Sequence, residues 1–246
     1  MTSEYLVLLS FIQGFAEFLP ISSSAHLALI PALASVADQG RFIDVAAHVG
    51  SLLAVMWRYR RRVRALLTFE DMGLAWRLTL SFIPMLMLGL FIDPPRAPMI
   101  IAVNMIVFGA LLWAADRFGK KDRDVSPGTA FLAGLAQVMA LIPGVSRSGV
   151  TISMMRARGV DRPKALDFAF LMSMPAIAAA GAWELLGALR AAEAVDWTAA
   201  ITTVASSFVF SLIAIKFMMH FVRRFSFLPF AIYRVALGIV ILYMLF

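Results

Sequence analysis

Two polar clusters interrupt a chain that is otherwise almost continuously apolar, and those interruptions restrict the fold more than any other feature. One is PGVSRSGVT at Pro143–Thr151 and the other is QGFAEFLPISSSAH at Gln13–His26. Of 246 residues, 61% are hydrophobic and 15% charged, and the mean hydropathy is +0.85. The long apolar runs therefore read as membrane helices. Hydrocarbon tolerates an arginine set among hydroxyls only where something pairs with it. A bound phosphate is the natural partner. Arg147 offers a fork of donors, Ser146, Ser148 and Thr151 offer hydroxyls, and the flanking glycines free backbone N–H groups. A helix starting near Ser148 adds its positive end.

The apolar runs divide into two kinds. Tyr5–Leu19 is short, carries Gln13 and Glu17, and is broken by Pro20; Ser22, Ser23 and Ser24 then cap a second piece running to about Ser35. Pro127–Ile142 is also short, carries Gln137, and is followed by the 143–151 break and a helix to about Ala157. None of these pieces spans a hydrocarbon core of about 30 Å. Each pair reads as a re-entrant hairpin, which a membrane allows where protein or a water-filled cavity covers it. Full spans are expected at Phe42–Trp57, Met72–Ile92, Pro98–Asp116, Ala165–Arg190, Thr198–Met219 and Leu228–Phe246. The expected fold is an all-α polytopic membrane protein of six spans and two re-entrant hairpins, forming one membrane domain over 1–246.

Charge sets the orientation. The chain has a net charge of +7, and most of its 22 Lys and Arg fall in four groups, at 58–64, 117–123, 156–164 and 216–224. The positive-inside rule assigns all four to the cytoplasm, provided both hairpins return to the side they enter from. Both termini then lie outside. Opposed hairpins suggest an inverted-topology repeat of about 1–123 and 124–246. At an offset of 123, Pro20 matches Pro143, Ser23 matches Ser146, Asp44 matches Asp167 and Ala46 matches Ala169. Such repeats bring broken helices together near the midplane. The basic balance reflects cytoplasmic loops rather than nucleic-acid binding. The chain has no cysteine, which excludes disulfides and thiolate metal sites. MTSEYLVLLS lacks a basic n-region, so no cleaved signal is expected.

The candidate chemistry follows from residue types. Arg147 reads as a phosphate clamp with Ser146, Ser148 and Thr151 beside it, or as a structural arginine paired with Glu17 or Asp167. Glu17, one helical turn after Gln13, reads as a ligand for Mg²⁺ or Ca²⁺, with Gln13 assisting, or as a general base. His26 reads as a base toward Ser23 or as an acid for a leaving phosphate. Asp44 and His48, four apart on one helix, and Gln137 read as supporting groups. Asp167 and Glu184 read as helix-holding residues, and Trp57, Trp113, Trp197 and Tyr243 as an interfacial belt.

QGFAEFLPISSSAH and LIPGVSRSGVT, in this order, resemble the undecaprenyl-diphosphate phosphatase family, the bacitracin-resistance type of integral membrane phosphatase. Gln13, Glu17, Ser23, His26, Ser146, Arg147, Ser148 and Thr151 match its pattern, and DVAAHVGSLLAV and the tail SFLPFAIYR resemble it too. Gln13 stands where many members carry Glu, and Ala25 where Gly is common. The resemblance implies hydrolysis of undecaprenyl diphosphate to undecaprenyl phosphate and phosphate, in the bacterial inner membrane. It also implies divalent-cation dependence, a site open to the periplasm, and bacitracin resistance on overproduction. The partners are then the polyprenyl lipid and the bilayer, and a homodimer is compatible with the sequence. The alternative is a polyprenyl-phosphate transporter or flippase using the same cluster, since paired broken helices also suit carriage. Glu17, Ser23 and His26 favour the enzyme.

Overall fold

The computed structural model describes residues 2–27, 40–92, 95, 97–119, 123–191 and 196–245. Every regular element among them is helical. In chain order these are α1 (Ser3–Ala16), α2 (Arg41–Arg58), α3 (Arg60–Leu67), α4 (Met72–Leu88), α5 (Pro98–Phe118), α6 (Pro127–Val138), α7 (Arg147–Ala157), α8 (Arg162–Ala191), α9 (Trp197–Phe221) and α10 (Leu228–Leu245). A further helical stretch covers 23–27. The rest of its expected course to Ser35, with Lys120, Lys121, Arg96 and the side chains of Arg41, Glu184 and Arg190, lies outside the described residues.

Four helices are long and apolar enough to cross a membrane, over Pro98–Phe118, Arg162–Gly187, Trp197–Phe221 and Leu228–Leu245. Two of the six expected spans fall short of that description. Met72–Leu88 is apolar but has only 17 residues, and Arg41–Arg58 carries Asp44 and charged residues at both ends. Leu86, Phe91, Leu111, Ile201, Ile213 and Val240 stand exposed on the outer surface, as residues bathed in hydrocarbon do. Inside, α1 and α2 pack on α9 through small and hydroxylated side chains. Ser211 donates to Ser51 at 3.0 Å, Ser207 to the Ala47 carbonyl at 2.6 Å, and Ser10 to the Thr203 carbonyl at 3.2 Å. Small residues let backbones approach where lipid removes any hydrophobic drive between helices.

Both interruptions have visible causes. Thr2 caps α1, which gives way to a turn through Pro20; Ser22 then takes a left-handed backbone, φ 75°, before the 23–27 helix. Ser126 caps α6, with Pro127 in its first turn. That helix tightens into a 3₁₀ turn at Met139–Leu141, passes Pro143, and restarts as α7 from Ser146, φ 70°, whose hydroxyl accepts from the Gly149 N–H at 3.2 Å. Gly144 has φ 89°, and a Cβ there would lie 2.5 Å from the Ile101 carbonyl oxygen, so only glycine fits.

The ends of the helices gather in two groups. Leu6, Leu27, Ile43 and Ala199 share an apolar cluster, with Phe42 edge-on to Trp197. At the other group Asp116 accepts from Arg156 Nε at 2.9 Å, from Arg162 Nε at 2.7 Å and from the Phe227 N–H at 3.1 Å. Sequence alone counts Arg156 among loop cations. It is in fact fully buried on α7, where its partner is a carboxylate at the end of α5.

Candidate active site

The two polar clusters meet at Glu17. The turn after α1 buries this carboxylate, and Arg147, the first residue of α7, donates from Nη2 to its Oε1. Its other oxygen, Oε2, accepts from Ser23 Oγ at 2.7 Å and from Gln13 Nε2 at 3.1 Å, and His48 Nε2 lies 3.5 Å from it. α1, the 23–27 stretch, α2 and α7 thus converge on one side chain. Gln13 Oε1 and Arg147 Nη1, both within this group, are buried with no hydrogen-bond partner among the described residues, as are both amide atoms of Gln137 on α6. An orphaned buried guanidinium nitrogen is costly unless an anion completes it.

The breaks are also stitched to each other. Ser148 Oγ donates to the Leu19 carbonyl at 3.1 Å. Arg234, fully buried on α10, donates to the carbonyls of Gly144 at 2.9 Å, Val145 at 2.8 Å and Pro20 at 3.4 Å. Its Nη1 lies where a Cβ on Gly149 would come within 2.6 Å, which accounts for a glycine in the SRSG run. Asn104 of α5 adds a bond from Nδ2 to the Pro143 carbonyl at 2.9 Å.

The sequence-predicted residues divide accordingly. Gln13, Glu17, Ser23, His48 and Arg147 come together. Ser23 is engaged with Glu17, and no hydrogen bond joins it to His26. The His26 ring instead meets the Ser22 carbonyl through Nδ1 at 2.7 Å and the Tyr233 hydroxyl through Nε2 at 2.6 Å. The hydroxyls expected on a phosphate are turned to the protein. Thr151 donates to the Arg147 carbonyl at 2.9 Å, while Ser146 and Ser148 lie 3.4 Å apart. The Asp44 backbone carbonyl accepts from His48 Nδ1 at 2.8 Å. Asp167 pairs with Arg62 of α3. Gln137 is fully buried on α6. Arg234 and Tyr233, which close the SFLPFAIYR tail, also reach the site, although the sequence assigns neither a role. Arg234 carried a usable signal, a charge within an apolar 18-residue run.

A cation would find two oxygen donors, Gln13 Oε1, orphaned and buried, and the Glu17 carboxylate. No group of three or more His, Cys, Asp or Glu able to hold a metal occurs among the described residues. A hard cation held there would have to take most of its ligands from the substrate. A separate cavity of about 150 Å³, lined by Arg156, Asp161, Arg162, Pro163, Val222 and Arg223, belongs to the Asp116 end and includes no residue of the Glu17 group.

Long apolar helices around a buried ion pair, with a serine and two interrupted helices at its centre, define a multi-pass membrane protein with a buried polar site. The family whose model matches residues 6–240 is described as bacitracin resistance protein BacA, and this chain belongs to it. It is 40% identical over 265 residues to an undecaprenyl-diphosphatase of Alteromonas mediterranea, covering 100% of both chains. It is 43% identical to the undecaprenyl-diphosphatase of Roseobacter denitrificans, covering 98% of both, and 41% identical to that of Teredinibacter turnerae, covering 96% of this chain and 97% of that one.

Proposed function

We propose that this chain hydrolyses undecaprenyl diphosphate to undecaprenyl phosphate and inorganic phosphate, recycling the lipid carrier of bacterial cell-wall synthesis. The names of the relatives supply the substrate. The observation that carries the reading in this chain is Glu17, a buried carboxylate that holds a serine hydroxyl on one oxygen and an arginine with an unused donor on the other.

Arg147 Nη1, with the free N–H groups that open α7, receives the terminal phosphate. Glu17 takes the proton of Ser23 Oγ, or of a water held against it, as that oxygen bonds to phosphorus. The bond from phosphorus to the bridging oxygen breaks, and its electron pair leaves with the prenyl phosphate. If Ser23 is the nucleophile, water then releases phosphate from the serine. His26 exchanges the second proton at the leaving phosphate. Positioning and charge supply most of the rate in phosphoryl transfer. A divalent cation on Glu17 and Gln13 would offset diphosphate charge when bound. Ser146, Ser148 and Thr151 carry hydroxyls that can turn toward the anion. His48 holds Glu17, and Gln137 offers an unpaired amide on the second hairpin.

The same reading includes six spans, two re-entrant hairpins and an inverted repeat. Reciprocal packing supports it: α1 lies on α9 as α6 lies on α4, and α2 on α9 as α8 on α4. The left-handed serines Ser22 and Ser146, and Gln13 and Gln137, are related by 124 residues, one more than the offset read from sequence. Re-entry of the second hairpin is supported by the Arg123 N–H bond to the Gly159 carbonyl, which ties its entrance to its exit. Re-entry of the first is supported by Leu6 and Leu27 sharing one cluster. The active site and termini then face the periplasm.

Phosphate release from undecaprenyl diphosphate by purified protein in detergent tests the reading. Glu17→Ala and Arg147→Ala should each abolish it. Near-parental turnover in either variant removes that residue from the mechanism, and no release from the parent protein would leave carriage as the only role for the cluster.

A further inference from the structure

Tyr233 and His26 are separated by 207 positions in the chain, yet their side chains meet at the junction of the two hairpins. The rings stack with an interplanar angle of 7° and centroids 5.7 Å apart. This contact is more than packing, because both nitrogens of the imidazole are engaged. Nδ1 faces the Ser22 carbonyl, which can only accept, so Nδ1 carries a hydrogen. In neutral His26, Nε2 is therefore the lone pair, and the Tyr233 hydroxyl is its donor. When His26 is protonated the bond reverses: Nε2–H donates to Tyr233 Oη, and the phenolic hydrogen is freed for another acceptor. The carbonyl that fixes Nδ1 belongs to Ser22, whose left-handed backbone marks the first break. The charged group bearing on the ring is the guanidinium of Arg234, the next residue on α10.

From this geometry we propose that Tyr233 is a positioning residue for His26: the Ser22 carbonyl sets the tautomer, and the Tyr233 hydroxyl holds Nε2 at the point where protons arrive and leave. α10 then serves the site twice: Arg234 holds the breaks and Tyr233 holds the histidine. The inference rests on His26 exchanging a proton in the reaction. It gives the otherwise isolated imidazole a defined direction, which the 23–27 helix alone does not.

The test uses the full chain in detergent with undecaprenyl diphosphate, and four proteins: the parent, Tyr233→Phe, His26→Gln and, as a control on the same helix, Tyr243→Phe, whose ring is exposed. Tyr233→Phe keeps the stacked ring and removes only the hydroxyl. Its kcat should fall by about tenfold with KM little changed, a fraction of what a full acid–base group contributes. The limb of the pH–kcat profile lost in His26→Gln should also be displaced in Tyr233→Phe. Tyr243→Phe should match the parent throughout. A Tyr233→Phe profile identical to the parent's, alongside a His26→Gln of much reduced kcat, overturns the role of Tyr233 and leaves that of His26 standing. Full activity in His26→Gln overturns both. Should Tyr233→Phe melt earlier than the parent, 3-fluorotyrosine at position 233, which retains the hydroxyl and makes it more acidic, must displace the same limb or the proposal fails.

Discussion

At Glu17, four side chains depend on one carboxylate, so its charge should matter more than its shape. Glu17→Gln keeps the volume but removes the base for Ser23 and the counter-ion of Arg147. We expect kcat to fall by about 10³-fold or more, in the range of a lost acid–base group combined with lost charge alignment. Phosphate release under substrate saturation measures it, and activity within tenfold of the parent contradicts the base assignment. Arg147→Lys keeps the charge but cannot both hold Glu17 and reach an anion, because an ammonium lacks the planar fork. A loss of about 10²-fold is expected, as for one removed transition-state donor. Of this residue-scale pattern, Gln13 and Glu17 were legible as one helical turn. The Ser23–Glu17 bond was not, because it crosses Ser22, and nothing in a run of three serines says which one turns left-handed. The Ser23–His26 spacing suggested a direct pair, yet Ser23 faces Glu17 while the ring finds a backbone carbonyl and a tyrosine from the far end of the chain.

The elements that position these residues were legible wherever a local rule suffices. Pro20 and Pro143 mark the two breaks, and the long apolar runs became α5, α8, α9 and α10, whereas the caps at Ser126 and Ser146 emerged only in the structure. What joins them was not, since the pairing of α10 with α5 and the burial of Arg156 against Asp116 are tertiary choices with no periodicity of their own. Arg234 is where this hidden layer should show in experiment. Arg234→Met removes the donors to three carbonyls across both breaks, and buried carbonyls left unpaired cost about 1–3 kcal/mol each. The expected result is a clearly lower melting temperature in detergent together with lost phosphate release. A parental melting temperature would mean that the breaks hold their shape without it. Gly144→Ala belongs to the same scale. It forces a Cβ into a left-handed turn against the Ile101 carbonyl, and we expect it to lower melting and activity together, read by the same two assays.

Across the whole molecule the decisive question is which ends share a side. α9 has 25 residues, about 37 Å of helix. Its start lies with Leu6, Leu27 and Ile43, and beyond its end Val222 lines the cavity beside Arg156 and Arg162. The hairpin entrances of the first half thus lie at one end of α9, and the Asp116 network with the second hairpin's exit lies at the other. Arg156, Arg162 and Arg223 lie at the second end, which the positive-inside rule predicts to be cytoplasmic. Because the chain has no cysteine, single-cysteine variants report each end without background. Glu70→Cys, exposed between α3 and α4, should react with a membrane-impermeant maleimide only after the cells are opened. Thr198→Cys, exposed at the start of α9, should react in intact spheroplasts. Labelling of both from outside would mean that α4 and its neighbours do not cross as six spans require. The inverted pattern would put the Glu17 site on the cytoplasmic side.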